Sequence, residues 1–319
     1  MNSEIELDSI IEVIHRANKI AIFTHVSPDG DAIGSSMGLY LGLKQLKKEV
    51  DVIADEYSRC FKFLSGLENV KEKSHETYDL VIALDCATKN RLFDPGDCFF
   101  RAGMSVAVDH HASNTYFAEY NYVEEDSPAT CKTVIKILKR LGISITKEIG
   151  ECLMAGIITD SGGFRYRTVD DETFEFAAQM LDLGVDISDI YYRTFDVKSK
   201  AQFQLSSIAT SRLKFYQKDR VAVTYVTLED FRKVNATVGD HEGIVNVGRN
   251  IEGVEVSIFL REVEKEHYKI SLRSNDYVDV SEVASVFDGG GHSRAAGCDV
   301  LLPLDTAIKK LVKETTKYL

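Results

Sequence analysis

Ser105-Val106-Ala107-Val108-Asp109-His110-His111 is a short apolar run that ends abruptly in three side chains able to bind a metal. A run of this length reads as a buried strand, which puts the acid and both imidazoles at its carboxyl end. Three more segments repeat the arrangement. Ala21-Ile22-Phe23-Thr24 leads to His25-Val26-Ser27-Pro28-Asp29-Gly30-Asp31, Leu80-Val81-Ile82-Ala83-Leu84 leads to Asp85, and Ala155-Gly156-Ile157-Ile158-Thr159 leads to Asp160. Ligands of open α/β folds bind beyond the carboxyl ends of the strands, so these groups are expected to converge on one site.

Around these segments, from Lys19 to about Gly184, β-like runs alternate with helical patterns. This is the signature of an α/β fold with a parallel sheet and helices on both faces. Strands are expected at 20–24, 50–54, 80–84 and 106–108, and helices at 32–47, 128–141, 147–158 and 171–183. Ser127 suits the cap of the second helix with Pro128 at its first position, and Gly142 suits its end. A first domain is therefore expected over 1–185 and a helical, polar connector over 186–218. A smaller α/β domain on a mixed sheet follows over 219–319. Its strands are expected at 221–226, 254–261 and 268–273, and its helices at 228–234, 280–287 and after Pro303.

The chain has 319 residues, 44% of them hydrophobic, enough for substantial cores. Its formal charge of -12 argues against capture of long nucleic acid, which needs an extended basic track to release counterions. A small phosphorylated ligand fits, provided metal ions and a few local cations offset the negative background. No export signal or run of 18 apolar residues is seen, so a cytoplasmic protein with no membrane span is expected. The six cysteines are scattered without zinc-site spacing. Cys86, beside Asp85, reads as a small buried residue, with a direct chemical role as the alternative.

Taken alone, Asp29-Gly30 is an ordinary turn, Asp31 an ordinary helix cap and His25 a polar residue at a strand end. Together with Asp85, His110 and Asp160 they form a set of hard oxygen donors and imidazoles suited to Mn²⁺, Mg²⁺ or Fe²⁺. The glycine would let the chain turn between two carboxylates that face one cavity. Counting donors gives His25, Asp29 and Asp85 for one ion, and Asp31, Asp85, His110 and Asp160 for a second. Two ions about 3.5–4 Å apart can hold a hydroxide between them and serve both oxygens of an in-line displacement at phosphorus. Asp109 is either a direct ligand or an acid that orients a ligating histidine. His111 is a candidate donor to a phosphate oxygen, with an ordinary hydrogen-bonded histidine as the alternative.

A second cluster is Gly289-Gly290-Gly291-His292-Ser293-Arg294. Its glycines would let backbone N–H groups approach an anion, with His292 and Arg294 as further donors. Arg273 is a second candidate anion clamp and Arg249 a weaker one.

In order and spacing, His25-x-x-x-Asp29-x-Asp31, Asp85, Asp109-His110-His111, Asp160 and Gly289-Gly290-Gly291-His292 resemble the DHH phosphoesterase superfamily with its DHH-associated C-terminal domain. Within it the short two-domain chain is similar to the NrnA-like group of nanoRNases and 3'-phosphoadenosine 5'-phosphate phosphatases. The resemblance implies two Mn²⁺ ions on His25, Asp29, Asp31, Asp85, His110 and Asp160. It also implies catalytic work by Asp85, Asp109, His110 and His111, and phosphate contacts from His111, Arg273 and His292. Arg165, in Asp160-Ser161-Gly162-Gly163-Phe164-Arg165, is left between a substrate contact and an ion pair. The implied activity is hydrolysis of short RNA such as pApA or pGpG to mononucleotides, together with removal of the 3'-phosphate from 3'-phosphoadenosine 5'-phosphate. The implied partners are those substrates, with no long nucleic acid and no membrane, and a homodimer as an option. A cyclic di-AMP phosphodiesterase is the enzyme alternative, and a metal-dependent nucleotide-binding module without turnover is the alternative of another class. An inorganic pyrophosphatase fits the Gly-Gly-Gly-His segment less well.

Overall fold

The computed structural model describes residues 3–319, with Met1 and Asn2 outside it. The chain divides into two compact units, Met1–Val197 and Lys198–Leu319. The first holds α1 (Ser3–Arg16), β1 (Lys19–Phe23), α2 (Gly30–Gln45), β2 (Glu49–Ile53), β3 (Val70–Lys71), β4 (Leu80–Leu84), β5 (Ser105–Asp109), β6 (Tyr120–Val123), α3 (Thr130–Arg140), α4 (Lys147–Asp160), α5 (Asp171–Asp182) and α6 (Ile187–Tyr191). The short strands β3 and β6 carry too little apolar pattern to be foreseen.

All six strands are parallel, in the order β3-β2-β1-β4-β5-β6. Strand order therefore reverses between β1 and β4, the switch point where such sheets open a crevice for ligands. Alternate residues point to opposite faces. Ile20 and Ile22, Leu80 and Ile82, and Val106 and Val108 join the large core built with the α-helices. Ala21, Ala83 and Ala107 face a smaller core with Phe23, Leu92 and Phe99. Leu92, which follows the short 3₁₀ turn Lys89–Arg91, and Phe99, in the turn Phe99–Arg101, reach that core from this side.

A glycine at every fourth position of α2 (Gly30, Gly34, Gly38, Gly42) brings that helix against its neighbours. A Cβ at Gly34 would lie 2.4 Å from the Cys152 carbonyl oxygen, and one at Gly38 2.6 Å from Leu153 Cδ2. Each glycine in a helix interior costs about 1 kcal/mol relative to alanine, which close packing of α2 on α4 must offset. Gly30 belongs to this stripe. It is not the turn residue expected from sequence but the first residue of α2, where a Cβ would strike Thr159 Oγ1 at 2.2 Å.

Two further expectations are corrected. Asp160 closes α4, the helix expected at 147–158 running two residues further, so its apolar run ends a helix and not a strand like the other three. An apolar run as short as 155–159 suits either form, and here Gly156 passes close to Asp31 and Cys131 as part of α4. The cap of α3 is Ala129, two residues beyond Ser127, and it has no side-chain acceptor.

The second unit holds α7 (Lys200–Ser211), β7 (Lys214–Tyr216), β8 (Val221–Val226), α8 (Leu228–Val234), α9 (Val245–Arg249), β9 (Val256–Glu264), β10 (His267–Ser274), α10 (Val280–Ser285), β11 (Gly290–His292), β12 (Ala295–Leu301) and α11 (Leu304–Thr315). The segment read as a connector is thus shared, α6 lying in the first unit and α7 in the second. The second sheet runs β11-β12-β10-β9-β8-β7 and is mixed, with β8 and β9 parallel and the other pairs antiparallel. Its two faces carry separate cores, one with α10 and α11 and one with α7 and α9. No helix among the described residues is long and apolar enough to cross a membrane.

Replacing Gly34 by alanine should lower stability by about 1–3 kcal/mol in equilibrium urea unfolding, because the new methyl meets backbone that cannot step aside. Gly290→Ala, where a Cβ meets nothing within 4 Å, should change it by no more than about 0.5 kcal/mol.

Candidate metal centre

His25 follows β1, Asp85 follows β4, and Asp109-His110-His111 close β5, so three neighbouring parallel strands deliver their ends to one place. Asp29 caps α2, its Oδ1 accepting from the N–H groups of Asp31 (3.0 Å) and Ala32 (3.1 Å). Asp31 lies one position inside that helix and is fully buried. Its two oxygens accept from the N–H groups of Thr130 (2.5 Å) and Cys131 (2.9 Å), the first turn of α3. The missing side-chain cap at Ala129 is thereby supplied by an acid from α2. A helix start attracts anions through its unpaired N–H groups and its dipole, so the pairing serves both partners.

Asp85 is buried and sits at φ 55°, the left-handed region that side chains with a Cβ seldom occupy. Such strain, held by surrounding structure, points to a functional position. Its Oδ2 lies 3.6 Å from His25 Nε2, and its Oδ1 3.5 Å from His110 Nε2. One carboxylate thus turns an oxygen to each of two imidazoles. Thr130 Oγ1 donates to Oδ1 at 3.2 Å.

Both imidazoles are oriented from behind. His25 Nδ1 lies 2.9 Å from the Val26 carbonyl and His110 Nδ1 3.0 Å from that of Ser127. A carbonyl only accepts, so each Nδ1 carries a proton and each Nε2 faces the acids. His110 Nε2 also lies 3.2 Å from Asp160 Oδ2 and 3.9 Å from Asp31 Oδ2, and His25 Nε2 is 3.9 Å from Asp29 Oδ1.

Asp109 is turned away from this cluster. Its Oδ1 accepts from the His110 N–H (2.8 Å) and His111 Nδ1 (2.7 Å), and its Oδ2 from Asn114 Nδ2 (2.6 Å). It holds His111 as a second-row carboxylate commonly holds a working histidine. Burial opposes ionisation of Asp109, but His111 and Asn114 keep it below the usual carboxylate range.

Three groups of donors lie close enough to hold a metal ion: His25, Asp29 and Asp85; Asp31, His110 and Asp160; and Asp85, His110 and His111. The charge balance favours a cation there. Burial, and then the nearby Asp85, push Asp31 up to about 7, and burial with Asp31, Asp29 and Asp85 drives Asp160 well above its ordinary value. Burial opposes protonation of His25 and His110, yet the acids raise both to about 10. Without a cation the cluster holds protons in its place. Burial also pushes the Cys86 thiol up to about 12, and its Sγ donates to the Thr88 carbonyl, which fits a small buried residue.

Thr130 and Arg91, beside this cluster, and Asn114, which holds Asp109, were not singled out from sequence.

In the second unit the glycine segment is not a free loop. Gly290–His292 forms β11, paired to β12 in the register His292↔Ala295. Gly289 and Gly291 are required by close approach to β12, since Cβ atoms there would meet the carbonyl oxygens of Gly297 at 2.3 Å and Ala295 at 2.5 Å. Ala295 also pairs with Arg273, so Arg273 and His292 occupy one row of the sheet with a small residue between them. Arg294 is committed elsewhere, donating to the Val278 carbonyl at 2.8 Å. Arg249 Nε donates to Asn275 Oδ1 at 3.2 Å. In the first unit, Arg165 Nε donates to the Gly162 carbonyl at 2.6 Å, two residues beyond the end of α4.

Comparison with known families assigns this arrangement. The N-terminal domain of the DHH family matches residues 19–157, and the DHHA1 domain matches residues 218–319. The chain belongs to the DHH family. That is a phosphoesterase family, so the protein is a hydrolase. It is 33% identical, over 94% of its length and 90% of the relative's, to the bifunctional oligoribonuclease and PAP phosphatase NrnA of Thermus thermophilus. To the NrnA of Bacillus subtilis it is 23% identical over 91% of this chain and 92% of that one. An exopolyphosphatase-related protein from Bacteroides fragilis superposes with a TM-score of 0.91 at 31% identity, covering 99% of this chain and 96% of that one.

Because protons occupy the cluster at neutral pH, loading it with Mn²⁺ should release them. Calorimetry in two buffers of different ionisation enthalpy should give different apparent heats, and affinity should rise from pH 6 to pH 9 as Asp31, His25 and His110 yield their protons. Equal heats in both buffers would show that these groups do not hold the ion.

Proposed function

We propose that this DHH hydrolase is a Mn²⁺-dependent, two-ion phosphoesterase. It hydrolyses short oligoribonucleotides such as pApA or pGpG to mononucleotides and removes the 3'-phosphate of 3'-phosphoadenosine 5'-phosphate. The observation that carries this reading is Asp85, which turns one oxygen to the His25 side and the other to the His110 side. A carboxylate placed so can bridge two cations, with His25 and Asp29 completing one site and Asp31, His110 and Asp160 the other. Hard oxygen and imidazole donors, with no thiolate among them, favour Mn²⁺ or Mg²⁺ over softer ions. Bound there, the pair would supply Lewis acidity toward a phosphoryl group and make water a nucleophile near neutral pH.

The chain's own residues do the rest. Carbonyl contacts from Val26 and Ser127 keep the imidazoles facing inward, and Thr130 steadies Asp85. Asp109 holds His111 by Nδ1, and that imidazole is the proposed donor to a phosphate oxygen. In the second unit, Arg273 and His292 share one row of the sheet and are the proposed contacts for a terminal phosphate. The substrate classes are supported by the names of the relatives, among them the Thermus thermophilus protein. Short substrates also agree with a net charge of -12, which provides no track for a long polyanion.

The test is a panel of pApA, 3'-phosphoadenosine 5'-phosphate and cyclic di-AMP with Mn²⁺. Turnover of the first two is expected to exceed that of the intact cyclic compound; the reverse order would make this a cyclic-dinucleotide phosphodiesterase, and no turnover at all a binding module. Asp85→Asn, chosen because asparagine tolerates the left-handed backbone, should lower kcat by about a thousandfold or more. The same variant should lose the rise in melting temperature that Mn²⁺ gives the wild type.

A further inference from the structure

Arg91 lies at the edge of the metal centre, and none of the roles described so far uses it. It ends the short 3₁₀ turn Lys89–Arg91 in the segment that leaves Asp85 and returns to the end of β1. Its backbone is fixed there. The Val26 N–H donates to the Arg91 carbonyl at 2.7 Å, the Phe93 N–H to the Thr24 carbonyl at 2.9 Å, and His25 and Leu92 form an antiparallel bridge. The neighbouring Leu92 is buried in the smaller core, so the root of this side chain does not drift.

Its guanidinium Nη2 lies 3.4 Å from His25 Nδ1. That nitrogen carries the proton donated to the nearer Val26 carbonyl at 2.9 Å, and a guanidinium can only donate. The imidazole is therefore no acceptor for Arg91, and no carboxylate within ion-pair distance takes its place among the described residues. A cation placed beside a cluster of acids, yet paired with none of them, is available to something else. An incoming phosphate meets a negative background, and a guanidinium rooted at the rim offsets it while its fork of N–H groups matches two phosphate oxygens.

We propose that Arg91 is a substrate-binding residue that clamps a phosphate group of the nucleotide at the His25 side of the centre. This rests on the phosphoesterase reading given above. The guanidinium acts on binding, so its loss falls on KM more than on kcat.

The experiment compares wild type, Arg91→Gln and Arg91→Lys as full-length, Mn²⁺-loaded protein. KM for 3'-phosphoadenosine 5'-phosphate should rise about tenfold or more in Arg91→Gln, and lysine, which keeps the charge but not the fork, should recover only part of it. Calorimetric binding of AMP should weaken by a similar factor, and this measurement needs no turnover. The Mn²⁺-induced rise in melting temperature should stay as in wild type. The proposal is overturned if AMP affinity in Arg91→Gln stays within about twofold of wild type. It is also overturned if that variant loses the Mn²⁺ effect, which would make Arg91 a support for His25 instead. A wild type that binds AMP but hydrolyses nothing in the panel would sink the functional reading alone, and the AMP comparison would still decide Arg91.

Discussion

Mutual repulsion of buried carboxylates is the constraint around which the first unit is built. Asp31 and Asp85 are buried, Asp160 is half-buried beside them and Asp29 lies exposed at the edge of the group, and burial with the neighbouring acids drives Asp31 and Asp160 upward. Such a cluster persists only with compensation. The structure supplies it in kind: two helix starts donate N–H groups to Asp29 and Asp31, a threonine hydroxyl serves Asp85, and two imidazoles stand between the acids. Protons on Asp31, Asp160 and the two imidazoles close the balance, and acids and imidazoles gathered in this way could hold metal ions in their place.

Topology and packing deliver the acids to that place. Strand order reversing between β1 and β4 opens the crevice at which three strand ends meet. The glycine stripe of α2 then draws Asp31 toward α3 and α4, because Gly30 and Gly34 let the helices approach until backbone touches side chain. A bulkier α2 would hold Asp31 away from Thr130 and Asp160 at once. Core packing and site geometry are in this sense the same contacts viewed from two ends.

Much of this was legible in the sequence, for reasons that can be named. Strands such as 80–84 announce themselves by a β-branched or leucine-rich run that stops at an acid, and the spacing of His25, Asp29 and Asp31 is local. Asp160 lies two residues past the helix expected over 147–158, and its apolar run groups with the strand ends only because a five-residue run is common to a strand and to the last turns of a buried helix. From sequence the three glycines look alike and all suit the approach of an anion, whereas two of them answer to the carbonyls of β12, and the third meets nothing. Thr130 and Asn114 escaped notice because their partners are set by tertiary approach. The link from Thr130 to Asp31 spans 99 positions, and no local pattern encodes it.

That link has a consequence for how the protein can change. Asp31 is at once the missing cap of α3 and a member of the acid cluster, so one carboxylate answers to two selections. A chain drifting toward a different metal or a different chemistry could not exchange this residue freely, because every intermediate without it would fray the first turn of α3. A compensating Ser, Thr or Asp would have to arise at position 129 before position 31 was released. The order of those two steps is thereby imposed by hydrogen bonding, and it makes position 31 a late mover in any divergence of the fold.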